Sequence, residues 1–253
     1  MNLLGLRTLL QKETLRFTKV YLQTLMAPIV TSLLYLLVFS HVLEGRLDVY
    51  EGISYTVFLV PGLIMMAMIQ NAFANSSSSL IQSKVTGNVI FILLPPLSHF
   101  EIYSAFVSAS VLRGLIVGAG IYLVATLFTD ITIFNIAYIL LFAVVASATL
   151  GSLGIIAGIW AEKFDQLAGF NNFIIMPLSF LSGVFYSIHS LPATWQTLSH
   201  LNPFFYMIDG FRYGFFGVSD ISPALSLVIS CGFLLVLSTV TLYLLKTGYK
   251  LRN

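Results

Sequence analysis

Charge is what this chain has least of. Of its 253 residues, 9% are Asp, Glu, Lys or Arg, against about 25% in a soluble domain, which excludes an ordinary water-soluble fold. Cysteine is almost missing too. Cys231 alone excludes an intrachain disulfide and a cysteine cluster for zinc or iron–sulfur, and its apolar setting points to packing. No G-x-x-x-x-G-K-S/T run occurs, so the chain does not bind nucleotide through a P-loop, and neither H-E-x-x-H nor an EF-hand loop is present. Ser76–Ser79 have no base nearby to activate a nucleophile. His41, His99, His189 and His200 fall near expected span ends or in one aromatic stretch, where polar anchoring is the simpler reading than a metal site. The first apolar run is longer than a signal h-region and no A-x-A site follows it, so a retained helix is expected in place of a cleaved leader.

What the chain does have is apolar surface. Hydrophobic residues make up 58% and mean hydropathy is +0.94. A single all-α integral membrane domain over residues 1–253 is expected. About 20 apolar residues cross the roughly 30 Å hydrocarbon core, and six such runs can be drawn: 20–43, 55–74, 108–128, 134–160, 167–185 and 225–245. Residues 1–19, with Val20 just after, place Leu6, Leu9, Leu10, Phe17 and Val20 at helical spacing with Arg7, Lys12, Arg16 and Lys19 among them, the pattern of an amphipathic helix lying at the headgroup level. The Ser run and Gly87 read as turn or cap chemistry, followed by a short apolar helix at Val89–Leu94 that Pro95–Pro96 stops. Docking element and unpartnered interfacial segment are both open for it.

Charge placement sorts the ends. Six spans put both termini on one side, with Arg7, Lys12, Arg16, Lys19, Lys84, Lys163, Lys246, Lys250 and Arg252, against Arg46 and Arg212 on the other. The positive-inside rule then puts the termini in the cytoplasm. Between spans five and six, Leu181–Gly217 is too broken by Pro192 and Pro203 to span and too apolar for a solvated loop. Phe185, Tyr186 and Trp195 belong to its aromatic load, and short helices dipping into the external face are expected. Asp209 and Arg212, three apart, are expected to neutralise each other. Arg113 is the sharpest intramembrane charge, expected to snorkel or to pair with Glu162, Asp165 or Glu101. Asn171 and Asn172 suit interhelical hydrogen bonds, and Gly151, Gly154 and Gly158 suit close helix packing.

The stretches Pro61–Asn75, Arg113–Leu115, Leu181–Gln196 and Leu198–Gly217 give the chain a resemblance, over essentially its whole length, to the permease subunits of ABC-2 type transporters, in particular the small permeases that include the Nod-factor exporters. That resemblance implies an interface helix at the N-terminus and a coupling helix within 84–96 that docks on an ATPase, with Lys84, Asn88, Val89, Ile90, Phe91, Leu93 and Pro96 carrying the contact. It implies external re-entrant helices over 186–217, including Phe185, Tyr186, Trp195, Pro203, Asp209 and Arg212 at their approach and within them. It further implies two copies of the chain, a separately encoded ATPase in two copies that holds the ATP and Mg, membrane lipid as surroundings, and a bacterial inner membrane. No catalytic residue, metal, resident cofactor or nucleic-acid partner is expected on this chain. Family members often carry acids where this chain has Ile90 and Phe91, so docking here is expected to be more apolar. The alternatives are an ATP-independent secondary transporter, which usually carries intramembrane acids, and a membrane-embedded lipid-modifying enzyme.

Overall fold

The computed structural model describes residues 2–43, 50 and 52–251. Arg46 and Arg252 of the charge count lie outside them. Among the described residues the regular structure is helical, with one isolated bridge pairing Tyr50 with Ile53. Five helices are long and apolar enough to cross a membrane: Leu22–Val42, Tyr55–Val85, His99–Ala125, Ile136–Trp160 and Pro223–Thr247.

The elements run α1 (Leu3–Thr18), a π-helical turn (Leu22–Met26) leading into α2 (Ala27–Leu43), α3 (Tyr55–Val85), the short α4 (Ile90–Leu93), α5 (His99–Ala125) and α6 (Ile136–Trp160). Then come α7 (Phe164–Phe170) and α8 (Met176–Phe180), joined by a π-helical stretch (Asn171–Ile175), followed by α9 (Ala193–His200), α10 (Pro203–Phe216) and α11 (Pro223–Thr247).

α3 is the core element. Of its most apolar stretch 83% is buried inside the chain, against 11% for the helix through α2 and 22% for α11. It packs against α6, α5, α2 and α10. Small residues let it approach its neighbours. A Cβ built on Gly154 of α6 would stand 2.5 Å from the Phe73 carbonyl oxygen of α3, and one on Gly158 would stand 2.8 Å from the Leu80 Cβ. Gly151 sits as closely on Ser110 of α5. The small-residue stripe therefore does pack helix on helix.

Three boundaries differ from the sequence reading. α3 does not stop near Ala74: the Ser run lies inside it, as helix. Serine hydroxyls satisfy themselves one turn back, Ser77 donating to the Phe73 carbonyl at 2.8 Å and Ser83 to that of Ser79 at 2.8 Å, so a polar run continues the helix at no hydrogen-bonding loss. α5 starts at His99, well before Ser108, because Ser98 and Glu101 form a capping box. The expected fifth span begins at Phe164 and stops at Phe180, in pieces of 7, 5 and 5 residues. At 1.5 Å per residue this is about 25 Å, short of the roughly 30 Å core. Asn171 and Asn172 do not bridge helices either. Asn171 Nδ2 donates to Asn172 Oδ1 at 3.4 Å on an outward face, where the neighbouring Phe173 is 83% exposed.

The Gly154 contact yields a test. Adding one methyl there, Gly154→Ala, forces α6 off the α3 backbone and is expected to cost about 1–3 kcal/mol. Gly169→Ala, with nothing within 4 Å of the new Cβ, is expected to hold or raise stability by up to about 1 kcal/mol. Thermal unfolding of the two variants in one detergent reads the difference.

Candidate functional site

Three groups of residues stand out. The first is a polar seam where α1 meets α3. Leu9, Glu13 and Phe17 share one face of α1 and all three are buried. Glu13 is fully enclosed: its Oε1 accepts from Ser79 Oγ at 2.8 Å and Lys12 Nζ at 2.8 Å, and its Oε2 accepts from Arg16 Nε at 3.3 Å. Arg16 then donates through Nη2 to the Asn75 carbonyl at 2.6 Å and through Nη1 to Ser78 Oγ at 3.1 Å. Ser76 and Ser110 bring α3 and α5 together at 2.6 Å. Val20, counted with the apolar face, is 49% exposed. Glu13 escaped the sequence reading, although its position four residues from both Leu9 and Phe17 puts it on the buried stripe.

Arg113 belongs to the far end of the same seam. It lies about 21 Å along α5 from His99 at 1.5 Å per residue. Its side chain is 7% exposed, so it turns into the bundle and does not snorkel. Arg113 Nη2 donates to Asn71 Oδ1 at 2.8 Å, while Nε has no partner among the described residues, as is true of Ser147 Oγ. The expected acidic partners are engaged elsewhere or distant. Glu101 is held by the α5 cap and by the Asn2 backbone N–H. Glu162 accepts from Lys250 Nζ at 2.8 Å, a hydrogen bond that keeps its carboxyl below the usual range and the Lys250 ammonium above its own. Asp165 is exposed in the first turn of α7. A side-chain amide can stabilise a guanidinium without surrendering a charge of its own, a partner that a search for carboxylates does not find.

The second group is the broken aromatic stretch. It forms the turn at Ile188–Ser190, then α9 and α10. Pro203 opens α10 at its first helical position, where no N–H is needed. Asp209 and Arg212 are both fully buried, yet they do not form an ion pair. Asp209 accepts the backbone N–H groups of Asp220 at 2.8 Å and Ile221 at 3.1 Å. Arg212 donates from Nη2 to the Gly183 carbonyl at 2.8 Å and lies 3.9 Å over the Phe58 ring. Gly183 has φ +76°, a backbone that suits glycine. Asp220 supplies a second clamp, its Oδ1 accepting from Ser187 Oγ at 2.6 Å and Tyr50 Oη at 2.9 Å, its Oδ2 from the Ile188 N–H at 2.8 Å. Tyr55, at the start of α3, donates to the Phe185 carbonyl at 2.9 Å. Tyr186 Oη donates to the Phe180 carbonyl at 3.3 Å, and Trp195 stays 47% exposed. No sequence pattern marked Asp220, because its partners come from the far side of α9 and α10.

The third group follows α3. Val89 is the N-cap of α4 and Leu94 its C-cap, and Pro95 and Pro96 follow. Phe91 is 68% exposed and Ile90 52%, while Leu93 packs partly against the cluster around Leu9 and Ile92. Asn88 is exposed. Lys84 points the other way, donating to the Ile159 and Ala161 carbonyls at the end of α6. Among the described residues no three His, Cys, Asp or Glu side chains are grouped to hold a metal ion.

The Arg113–Asn71 bond yields the next expectation. Asn71→Ala strips a buried guanidinium of its acceptor and is expected to cost about 1.5–3 kcal/mol. Pairing it with Arg113→Met removes the orphaned charge and is expected to recover most of the loss. A double-mutant cycle on thermal unfolding measures both.

The geometry, a helical bundle with polar clamps at its ends, agrees with what sequence comparison finds. A family model described as ABC-2 type transporter matches residues 5–216. The inner membrane transport permease YadH of Escherichia coli (strain K12) is 35% identical over 249 residues, 98% of this chain and 97% of that protein. Nodulation protein J of Rhizobium leguminosarum bv. viciae is 24% identical over 206 residues, 81% of this chain and 78% of that protein. On a match of this extent the chain belongs to the ABC-2 type transporter family of membrane permeases.

Proposed function

We propose that two copies of this chain form the membrane pathway of an ATP-driven exporter in a bacterial inner membrane, powered by two copies of a separate ATPase that holds ATP and Mg. The bent Phe164–Phe180 segment counts as a sixth crossing in this reading, which returns both termini to the cytoplasm. α1 lies along the inner surface, α9 and α10 re-enter from outside, and α4 docks on the ATPase.

The observation that carries it is the continuity of α3. It is one helix from Tyr55 to Val85, about 46 Å long at 1.5 Å per residue, longer than the hydrocarbon core. Its first turn is tied to the Phe185 carbonyl through Tyr55. Just past its last turn stands α4, with exposed Phe91, Ile90 and Leu94. Displacement of α4 by an ATPase would reach the outer segment through one continuous, mostly buried helix, with Pro61 in its second turn, which suits alternating access. With 58% hydrophobic and 9% charged residues, the chain suits an amphipathic cargo such as a drug, lipid or lipid-linked glycan better than an ion.

An ATP-independent secondary transporter gains one supporting observation, the fully buried carboxylate of Glu13. Both its oxygens are already bonded to Lys12, Arg16 and Ser79, which suits a structural lock better than a proton carrier.

Co-purification with the ATPase encoded beside this chain, followed by ATPase activity in nanodiscs, tests the reading. A complex of two permeases and two ATPases is expected. Phe91→Glu places a charge in the apolar contact and is expected to weaken retention of the ATPase about tenfold or more, leaving the thermal midpoint of the permease unchanged. A permease that never retains an ATPase, or one indifferent to Phe91→Glu, would return the secondary-transporter reading to the front.

A further inference from the structure

Between α1, the last turns of α3, and α4 lies an open groove of about 800 Å³, within the size range of ligand sites at about 300–1,000 Å³. Its cations are Lys12 and Arg16, and no acidic side chain lines it. Glu13 sits behind that lining, fully buried, with both oxygens bonded to Ser79, Lys12 and Arg16. The three ionisable groups therefore leave one surplus positive charge. Arg16 spends its guanidinium mainly on Glu13, Asn75 and Ser78. Lys12 is 46% exposed and gives Glu13 one bond, which leaves two ammonium N–H groups for something else. Gln82, Thr86 and Asn88, all exposed, bring polar edges to its lining, and Leu9, Ile92 and Leu97 form apolar wall. At the start of α1, Leu4 lines the groove and is 78% exposed, beside Leu3 at 65%.

We propose that this groove binds the head and glycerol region of an anionic phospholipid from the leaflet on which α1 lies. The phosphate and its negative charge meet the free N–H groups of Lys12. The ester and glycerol oxygens accept from the side-chain amide N–H groups of Gln82 and Asn88. The acyl chains leave past Leu4 into the leaflet. A zwitterionic head would bring its own cation to the surplus charge, so the groove selects for net negative lipid. Since one wall is α4, the lipid sets the position of the segment that the proposed function assigns to ATPase contact. The inference rests on α1 lying at a membrane surface and does not require that an ATPase docks.

Native mass spectrometry of the full chain, released from micelles containing equal phosphatidylglycerol and phosphatidylcholine, tests it. Retention of phosphatidylglycerol is expected to exceed phosphatidylcholine about fivefold, the size of one surface lysine's attraction. Lys12→Gln is expected to bring the ratio near one, while Lys163→Gln, an exposed cation outside the groove, leaves it unchanged. Thr8→Trp, at the groove mouth, keeps the charge but fills the space and is expected to lower retention of both lipids. Excess inorganic phosphate, which has no tail, is expected to leave the lipid count as it was. An unchanged ratio in Lys12→Gln, unchanged retention in Thr8→Trp, or displacement by phosphate would each overturn the proposal. So would loss of ATPase capture in Lys12→Gln with lipid retention intact, which would make the groove a protein contact. Failure of the permease to retain any ATPase would leave this measurement standing.

Discussion

The approach of α6 to the backbone of α3 is the constraint on which the rest of the bundle depends. At Gly154 there is no room for a methyl group beside the Phe73 carbonyl. In lipid, helices gain little from the hydrophobic effect when they associate, and close van der Waals contact takes over that role. With α6 seated this closely, and α5 against the other flank, α3 loses almost all its lipid-facing surface. Everything polar along it must then find a partner inside the protein.

That demand explains the seam. Ser76, Ser77, Ser79 and Asn75 are buried, and an unpaired polar group at such a place costs free energy comparable to a lost hydrogen bond. Ser77 and Ser83 close on their own helix. Ser79 and Asn75 reach across to Glu13 and Arg16 of α1. α1 is thereby pinned to the C-terminal third of α3 by charge-assisted bonds, stronger than the neutral ones elsewhere in the chain. α1 cannot shift along α3 without breaking a buried carboxylate from its Ser79 donor.

At the other end the same helix meets a second set of clamps. Arg212 is buried with one carbonyl and one aromatic face, not with Asp209, and the two acids Asp209 and Asp220 hold backbone N–H groups. Carboxylates and guanidinium here serve as caps for irregular backbone. Buried irregular backbone demands such partners, since an N–H or C=O group freed from a helix and shut away from water costs free energy comparable to a lost hydrogen bond. Meanwhile the helix through α2, α11 and the Phe173 face keep little of their apolar surface inside the chain, surface that lipid or a second copy would cover.

Much of this was legible in residue order. Composition determined a multi-helix apolar bundle, because 58% hydrophobic residues in long uncharged runs have no other economical fold. The spacing of Leu9 and Phe17 determined the inward face of α1, Pro95–Pro96 the end of α4, and Pro192 and Pro203 the breaks around α9 and α10. Motif content placed the chain in its family. Tertiary structure alone decided the partners. Asn71 lies 42 positions from Arg113 and Asn75 59 from Arg16, and neither pairing has a sequence period. The Ser run became helix, and Asp209 turned from Arg212 to the Asp220 backbone, for one physical reason. A buried polar group takes whichever donor or acceptor packing brings within about 3 Å, and packing is settled by residues far apart in the chain.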